Sequence, residues 1–364
     1  MNKLYYLLVF AAATIISFLL TLLVRKIATR FHAIDQPRGR HKHKQPTPLW
    51  GGIAIYASIL IVLLFFLIFY SHLVQFSGFV WLGFIDKRLL SVLVGALILL
   101  VIGAIDDKKP LPAWYKLFWQ IIAACVVLSS GIGIEYLRNP FGLGINLDSL
   151  TISIDFWNTP HNISVWGDLL AIIWIVGMIN VMNFLDGLDG LAAGVSIIAF
   201  ITLFVLSLRS DVNQINTAIF AVICAGSAFG FLFQNWSPAK IFMGDSGSMM
   251  LGFLLAVTAI VSGGKVATAF LVLGFPILDG LWVAGRRIAA GHSPFLADRS
   301  HLHHRLLDVG FSERATVIFI YILTALFGVV ALLSSTEEKF YALIWLCTLM
   351  TGLAISLALI GKRK

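Results

Sequence analysis

Five short polar runs interrupt an otherwise apolar chain, and their side chains suit chemistry on a phosphate group. Asp106 and Asp107 stand side by side, with Lys108 and Lys109 after them. Two adjacent carboxylates closing an apolar helix face the negative end of its dipole, so a cation should compensate them, either the two lysines or a metal ion. Asn183, Asp186 and Asp189 lie in N-F-L-D-G-L-D-G. The two aspartates are three apart and would share a face on a helical turn, while Gly187 and Gly190 let a backbone or ligand come close. That cluster reads either as an acidic start to the next helix, which the dipole favours, or as a ligand set. Asp245, in G-D-S-G, opens another apolar run. Taken singly it is a helix N-cap; taken with the other carboxylates it is a candidate for a divalent cation. The likeness of G-D-S-G to the nucleophile loop of trypsin-like proteases carries nothing, because the residues run straight into an apolar helix rather than a β-barrel.

Two basic runs complement the acidic ones. His301, His303, His304 and Arg305 follow Asp298 and Arg299 in a loop of nearly thirty residues. A solvated basic loop is the plain reading, but long loops between spans usually have a purpose. No cysteine and no His-Glu-x-x-His pattern accompanies the histidines, so zinc is disfavoured, and clustered His and Arg suit phosphate oxygens. Arg38 to Trp50 supplies Arg38, Arg40, His41, Lys42, His43 and Lys44, then Pro46-Thr47-Pro48, with Gly51-Gly52 beyond. The paired glycines at a helix start are expected to offer backbone N–H groups to an anion. No Walker A or Rossmann glycine pattern is present, which argues against ATP hydrolysis and dinucleotide redox chemistry.

These runs must be positioned by membrane helices. Of 364 residues, 59% are hydrophobic and 12% charged, with 31 Gly and 28 Phe, and the mean hydropathy is +0.93. A soluble domain carries about twice that charged fraction, so a soluble globule, a disordered tail and a coiled coil are excluded. A span needs about 20 apolar residues. Eleven stretches fit, near 4–24, 51–70, 89–105, 115–134, 164–183, 188–208, 216–234, 245–262, 265–284, 314–334 and 339–360. The first is too long for a signal-peptide core and is followed by Arg25–Lys26. Eleven spans place the termini on opposite sides. With the 25–50 segment cytosolic, 19 of the 26 basic residues fall inside, so the N-terminus is expected outside and the C-terminus in the cytosol. All five polar runs then share the cytosolic face. Thr151 to Phe156 alternates and suggests a small outer hairpin. Cys125, Cys224 and Cys347 sit in apolar runs and read as small hydrophobes. No repeat or linker divides residues 1–364, so one all-α membrane domain is expected. The net charge of +8 reads first as the orientation signal, and no nucleic-acid partner is expected.

Carboxylates from three loops and cations from two others, meeting at one membrane face, suit a Mg²⁺ or Mn²⁺ site for phosphoryl transfer. Such a site would join a water-soluble phosphate substrate to one that lives in the bilayer. A transporter for anionic solutes is the rival from another class, but transporters place key polar groups near the midplane and show related halves. A Mg²⁺-dependent membrane phosphatase or pyrophosphatase, with water as acceptor, is the other.

From about Asp35 to Gly310 the chain resembles the polyprenyl-phosphate N-acetylhexosamine-1-phosphate transferases, the MraY, WecA and TagO types. The Asp-Asp pair, N-x-x-D-G-x-D-G, G-D-S-G and the histidine loop occur in the family's order. D-R-S-H-L-H-H-R-L and the eleven-span topology look like the WecA type. The resemblance implies UDP-N-acetylglucosamine as donor, undecaprenyl phosphate as acceptor and UMP as leaving group, in a bacterial inner membrane. Another UDP-N-acetylhexosamine is the alternative donor. It also implies site roles. Asp106 and Asp107 would lie at the reacting phosphates, with Asp245 the principal Mg²⁺ ligand and Asp107 beside it. Lys44 would contact phosphate or uridine. Asn183, Asp186, Asp189 and Asn235 would shape the nucleotide pocket, and His303, His304 and Arg305 would grip the pyrophosphate or sugar. His301 has no counterpart in the MraY type, and Asp279, a carboxylate inside a span, would be a supporting residue. Gly-rich helix faces are compatible with a homodimer.

Overall fold

The computed structural model describes residues 3–36, 46–70, 73, 80, 81, 85–137, 139, 141, 142, 144–156, 159–262, 266–289, 291 and 301–361. Long apolar runs become helices because only a helix satisfies every backbone group within one segment when water is absent. In chain order these are α1 (Lys3–Arg30), α2 (Gly51–Phe69), α3 (Lys87–Lys108), α4 (Ala113–Leu128), α5 (Val165–Leu185), α6 (Leu191–Ser207) and α7 (Ile215–Asn235). There follow α8 (Gly244–Val261), α9 (Val266–Val272), α10 (Gly274–Ala289), α11 (Leu302–Val309), α12 (Glu313–Leu333) and α13 (Thr336–Gly361). The all-α polytopic membrane architecture expected from composition is what the chain forms.

Seven helices among the described residues are long and apolar enough to cross a membrane, and the bent pair α9–α10 makes an eighth. Of the eleven expected spans, the run at 339–360 gives α13, which is not among these eight, and three others differ in detail. The run expected at 115–134 gives a helix of 16 residues that stops at Leu128, where Gly131 takes a left-handed backbone with φ +84°. The run expected at 188–208 gives 17 residues beginning at Leu191, because the D-G-L-D-G turn stays outside the helix. The run expected at 265–284 is broken, with α9 and α10 meeting at 80°.

Helix α8 is the hub: it packs on α2, α3, α5, α6 and α9, and 83% of its apolar window is buried. By contrast α1, on the rim, buries 28% and presents Leu4, Leu7, Leu8, Ile15, Leu19 and Leu23 outward, as a lipid-facing helix should. The end of the bundle away from the motifs carries its own caps. Asp86 accepts from the N–H groups of Arg88 and Leu89 at 2.8 and 3.1 Å to start α3, and Ser164 caps α5. The expected hairpin is present there, Thr151–Phe156 pairing antiparallel with Thr159–Ser164.

Candidate active site

The C-terminal ends of α3, α5 and α7 and the N-terminal ends of α2, α4, α6 and α8 come together at one end of the bundle. Asp106 and Asp107 close α3 one residue before its basic end, and their carboxylates diverge. Asp106 Oδ1 accepts from Leu111 N–H at 2.6 Å, holding the Pro110–Pro112 corner, and its Oδ2 lies 3.1 Å from Lys116 Nζ. The same ammonium lies 2.9 Å from Asp245 Oδ2. Asp245 Oδ1 accepts from Asn183 Nδ2 at 2.8 Å, and that amide also donates to Ser248 Oγ at 3.0 Å. Thus Asp106, Lys116, Asp245 and Asn183, from α3, α4, α8 and α5, form one continuous charged corner.

Asp107 performs a different task. Its Oδ1 accepts from Asp245 N–H at 2.7 Å, and its Oδ2 from Ser246 Oγ at 2.8 Å. It is an N-cap delivered from another helix, 138 residues away in sequence, where a negative charge meets the positive end of the α8 dipole. The approach needs glycine. A Cβ on Gly103 would stand 2.4 Å from Ser246 N, and one on Gly52 would stand 2.4 Å from Gly247 N. We predict that Gly103→Ala forces α3 from α8, lowering stability by about 1–3 kcal/mol and activity with it. Gly177→Ala, where the added carbon meets nothing within 4 Å, should leave melting temperature and turnover unchanged.

The N-F-L-D-G-L-D-G turn divides its aspartates between two tasks. Asp189 Oδ2 accepts from Ala239 N–H at 2.8 Å, tying the turn to the loop before α8. Buried Asn235 completes that tie, its Oδ1 accepting from Gly190 N–H at 3.1 Å and its Nδ2 donating to Ile241 O at 2.9 Å. Both ends of its amide therefore serve backbone, which makes Asn235 a brace of the pocket rather than a wall of it. Asp186, just past α5, is pushed up to about 8, first by loss of surrounding water and then by the negative charges of Asp245 and Asp189.

The histidine loop starts α11. His303 is buried and lies against the turn, its Nε2 2.7 Å from where a Cβ on Gly187 would be. His304 packs beside it, ring centroids 4.2 Å apart. Arg305 lines a cavity of about 310 Å³ with Leu278, Asp279, Trp282, Cys347 and Met350. Lys44 lies outside the described residues, as do Asp298 and Arg299.

The anion site expected at Gly51-Gly52 is not formed. Gly51 N–H donates to Phe242 O at 3.0 Å and Gly52 N–H to Met243 O at 3.3 Å, so the groups expected to meet an anion fasten α2 to the loop before α8. Pro48 O accepts from Phe242 N–H at 2.8 Å, and Trp50 Nε1 donates to Ala104 O at 3.0 Å, completing the seam.

Sequence reasoning missed Lys116 and the amide pair beneath it. Gln120 stands one turn further along α4 and accepts from Asn180 Nδ2 at 2.7 Å. The available signal was a lone lysine and a lone glutamine at helical spacing inside an apolar run, since polar groups in spans are costly and face the bundle interior.

Residues 89–263 match the model of glycosyl transferase family 4. The chain is 31% identical over 334 residues to a probable undecaprenyl-phosphate N-acetylglucosaminyl 1-phosphate transferase of Bacillus subtilis, covering 90% of this chain and 83% of the relative. It is 35% identical over 374 aligned positions to a decaprenyl-phosphate N-acetylglucosaminephosphotransferase of Mycobacterium leprae, covering 96% and 89%. An undecaprenyl-phosphate alpha-N-acetylglucosaminyl 1-phosphate transferase of Yersinia pestis is 25% identical, covering 92% and 87%. An integral membrane bundle, with acidic turns on three helices gathered at one end and this similarity along nearly the whole chain, belongs to the polyprenyl-phosphate N-acetylglucosamine-1-phosphate transferase family.

Proposed function

We propose that the protein transfers N-acetylglucosamine 1-phosphate from UDP-N-acetylglucosamine to undecaprenyl phosphate, releasing UMP, as the first membrane step of a cell-surface glycan. The site would face the cytosol at the bacterial inner membrane, with eleven crossings and the N-terminus outside. The observation that carries this reading is the corner where the Lys116 ammonium joins the Asp106 and Asp245 carboxylates at 3.1 and 2.9 Å. At a cytosolic membrane face it would be open to both a lipid phosphate and a soluble nucleotide sugar.

The reaction needs little deprotonation, because a lipid phosphate is already anionic near pH 7. Its obstacle is repulsion between an anionic nucleophile and a diphosphate. An oxygen of the lipid phosphate attacks the sugar-bearing phosphorus, and the bond to the bridging oxygen breaks, that oxygen leaving with UMP. Lys116 offsets charge at the attacked phosphate, and His303 and His304, beside the 183–190 turn, add to that. Asp106 orients the acceptor, and Asn183 holds Asp245 in place. The donor set suits Mg²⁺: hard carboxylate oxygens that already accommodate a cation, the ammonium of Lys116. Asp245 would hold the ion with oxygens of the substrate phosphates, and Asp107 would fix Asp245 through the start of α8. Bound there, Mg²⁺ would supply charge neutralisation on the diphosphate.

Purified protein in detergent, given several UDP-sugars with and without undecaprenyl phosphate and Mg²⁺, tests the proposal. UMP is expected only with UDP-N-acetylglucosamine and the lipid together. Release without lipid would indicate a hydrolase, no release would indicate a transporter, and preference for another sugar or for a decaprenyl acceptor would correct the substrates. His303→Ala should raise the donor KM and lower kcat/KM about 10²-fold in a protein that still inserts and purifies as a folded species. An unchanged rate would remove His303 from the site.

A further inference from the structure

Asp279 is a carboxylate in the middle of α10, 7% exposed, beyond the 80° break that turns α10 away from α9. Both of its oxygens are engaged by the residues that begin α11. Oδ1 accepts from Leu302 N–H at 2.8 Å, and Oδ2 lies 2.8 Å from His301 Nδ1. An ionised Asp279 only accepts, which assigns the ring proton of His301 to Nδ1 and leaves Nε2 as the ring's other polar atom. Two aromatic rings neighbour it. Phe184, the residue after Asn183, lies at 5.6 Å, and His303 stacks at 5.7 Å with its plane only 11° away. His303 in turn lies against Gly187. A chain of contacts thus runs from a buried carboxylate in α10, through His301 and His303, to the turn that holds Asn183 and Asp186.

Capping alone would explain one oxygen of Asp279, and it would not require a histidine at the other. We propose that Asp279 is a positioning residue for the transfer reaction. By fixing the Nδ1 proton and ring plane of His301 while starting α11, it sets the His301–His303 stack against the 183–190 turn. The inference rests on the transferase reading for its kinetic consequence, though not for its structural one. Carboxylates that orient a functional histidine are commonly worth 10- to 100-fold in activity, on the order seen for outer-shell partners of metal-bound histidines.

Asp279→Asn separates the two roles. Its Oδ1 can still accept from Leu302 N–H, but the amide nitrogen donates toward His301 and requires Nδ1 to be unprotonated. Solid-state ¹⁵N NMR of histidine-labelled full-length protein in lipid should show an Nδ1-protonated signal that His301→Gln removes. In Asp279→Asn that signal should shift to the Nε2-protonated form. The variant should keep its melting temperature within a few degrees and lose about 10- to 100-fold in kcat/KM for the donor. His301→Gln should lose a similar factor, and the double variant should be no worse than either single one, because the two act as one unit. An unchanged His301 signal in Asp279→Asn, or losses that multiply in the double variant, would overturn the proposal. Absence of UMP release by the wild type, with the ¹⁵N shift intact, would instead overturn the transferase reading alone.

Discussion

Asp245→Asn is expected to lower turnover by about 10³-fold or more at ordinary Mg²⁺ while the protein stays folded. The substitution is nearly isosteric, and Asn183 Nδ2, 2.8 Å from Oδ1, keeps an acceptor to donate to. What disappears is one negative charge. Lys116 retains Asp106 at 3.1 Å, while the new amide nitrogen takes the place of Oδ2 at 2.9 Å and meets the ammonium donor to donor, a part-buried mismatch that costs about 1 kcal/mol. Melting should therefore move by a few degrees at most. The activity loss has a different origin, since a group fixed where charge develops is worth about 10²–10³ in rate, and Asp245 also carries the proposed metal. Thermal unfolding and UMP release measured on the same preparation separate the two effects. Retained turnover would remove Asp245 from the reaction.

Lys116→Met should be the more damaging change to the protein as a whole. Methionine fills the volume of the lysine stem but leaves Asp106 and Asp245 facing each other across a part-buried gap without the ammonium between them. Two like charges left in place repel, so stability should fall, by roughly 1–3 kcal/mol on the scale of an unsatisfied buried polar contact. kcat/KM should fall about 10²-fold or more because the donor phosphates lose a fixed cation. Lys116→Arg offers the informative contrast. It restores charge and stability but spreads that charge over a planar fork, so most of the rate should stay lost. A wild-type rate in Lys116→Met would show that the ammonium is only a structural tie.

Much of this site is legible in the sequence, and the limit is instructive. Asp106, Asp245 and Asn183 stand out because charged or amide groups at the ends of apolar runs have few reasons to be there, and His303 because its long loop is rich in His and Arg. The division of labour among the carboxylates does not show. Asp107 and Asp106 are adjacent in sequence, yet one caps α8 and the other pairs with Lys116. That outcome depends on which backbone arrives from a distant segment, and local spacing carries no record of it. Gly51-Gly52 misleads for the same reason: exposed N–H groups at a helix start look like an anion site until Phe242 and Met243 supply carbonyls. The break between α9 and α10 is also hidden, since hydropathy counts apolar residues and not their direction. Lys116 was concealed by its neighbours, a single charge after Trp114-Tyr115 that reads as a membrane-interface anchor.

The Asp245 corner is proposed to hold a divalent cation on the donor's diphosphate. Mn²⁺ electron–nuclear double resonance, on detergent-purified protein with UDP-N-acetylglucosamine, tests it most directly. Wild-type protein should bind Mn²⁺ with phosphorus-31 couplings from the nucleotide, and Asp245→Asn should lose both. Equal Mn²⁺ binding by the two proteins, or bound Mn²⁺ without phosphorus coupling, would show that the Asp245 corner does not hold the ion on the diphosphate.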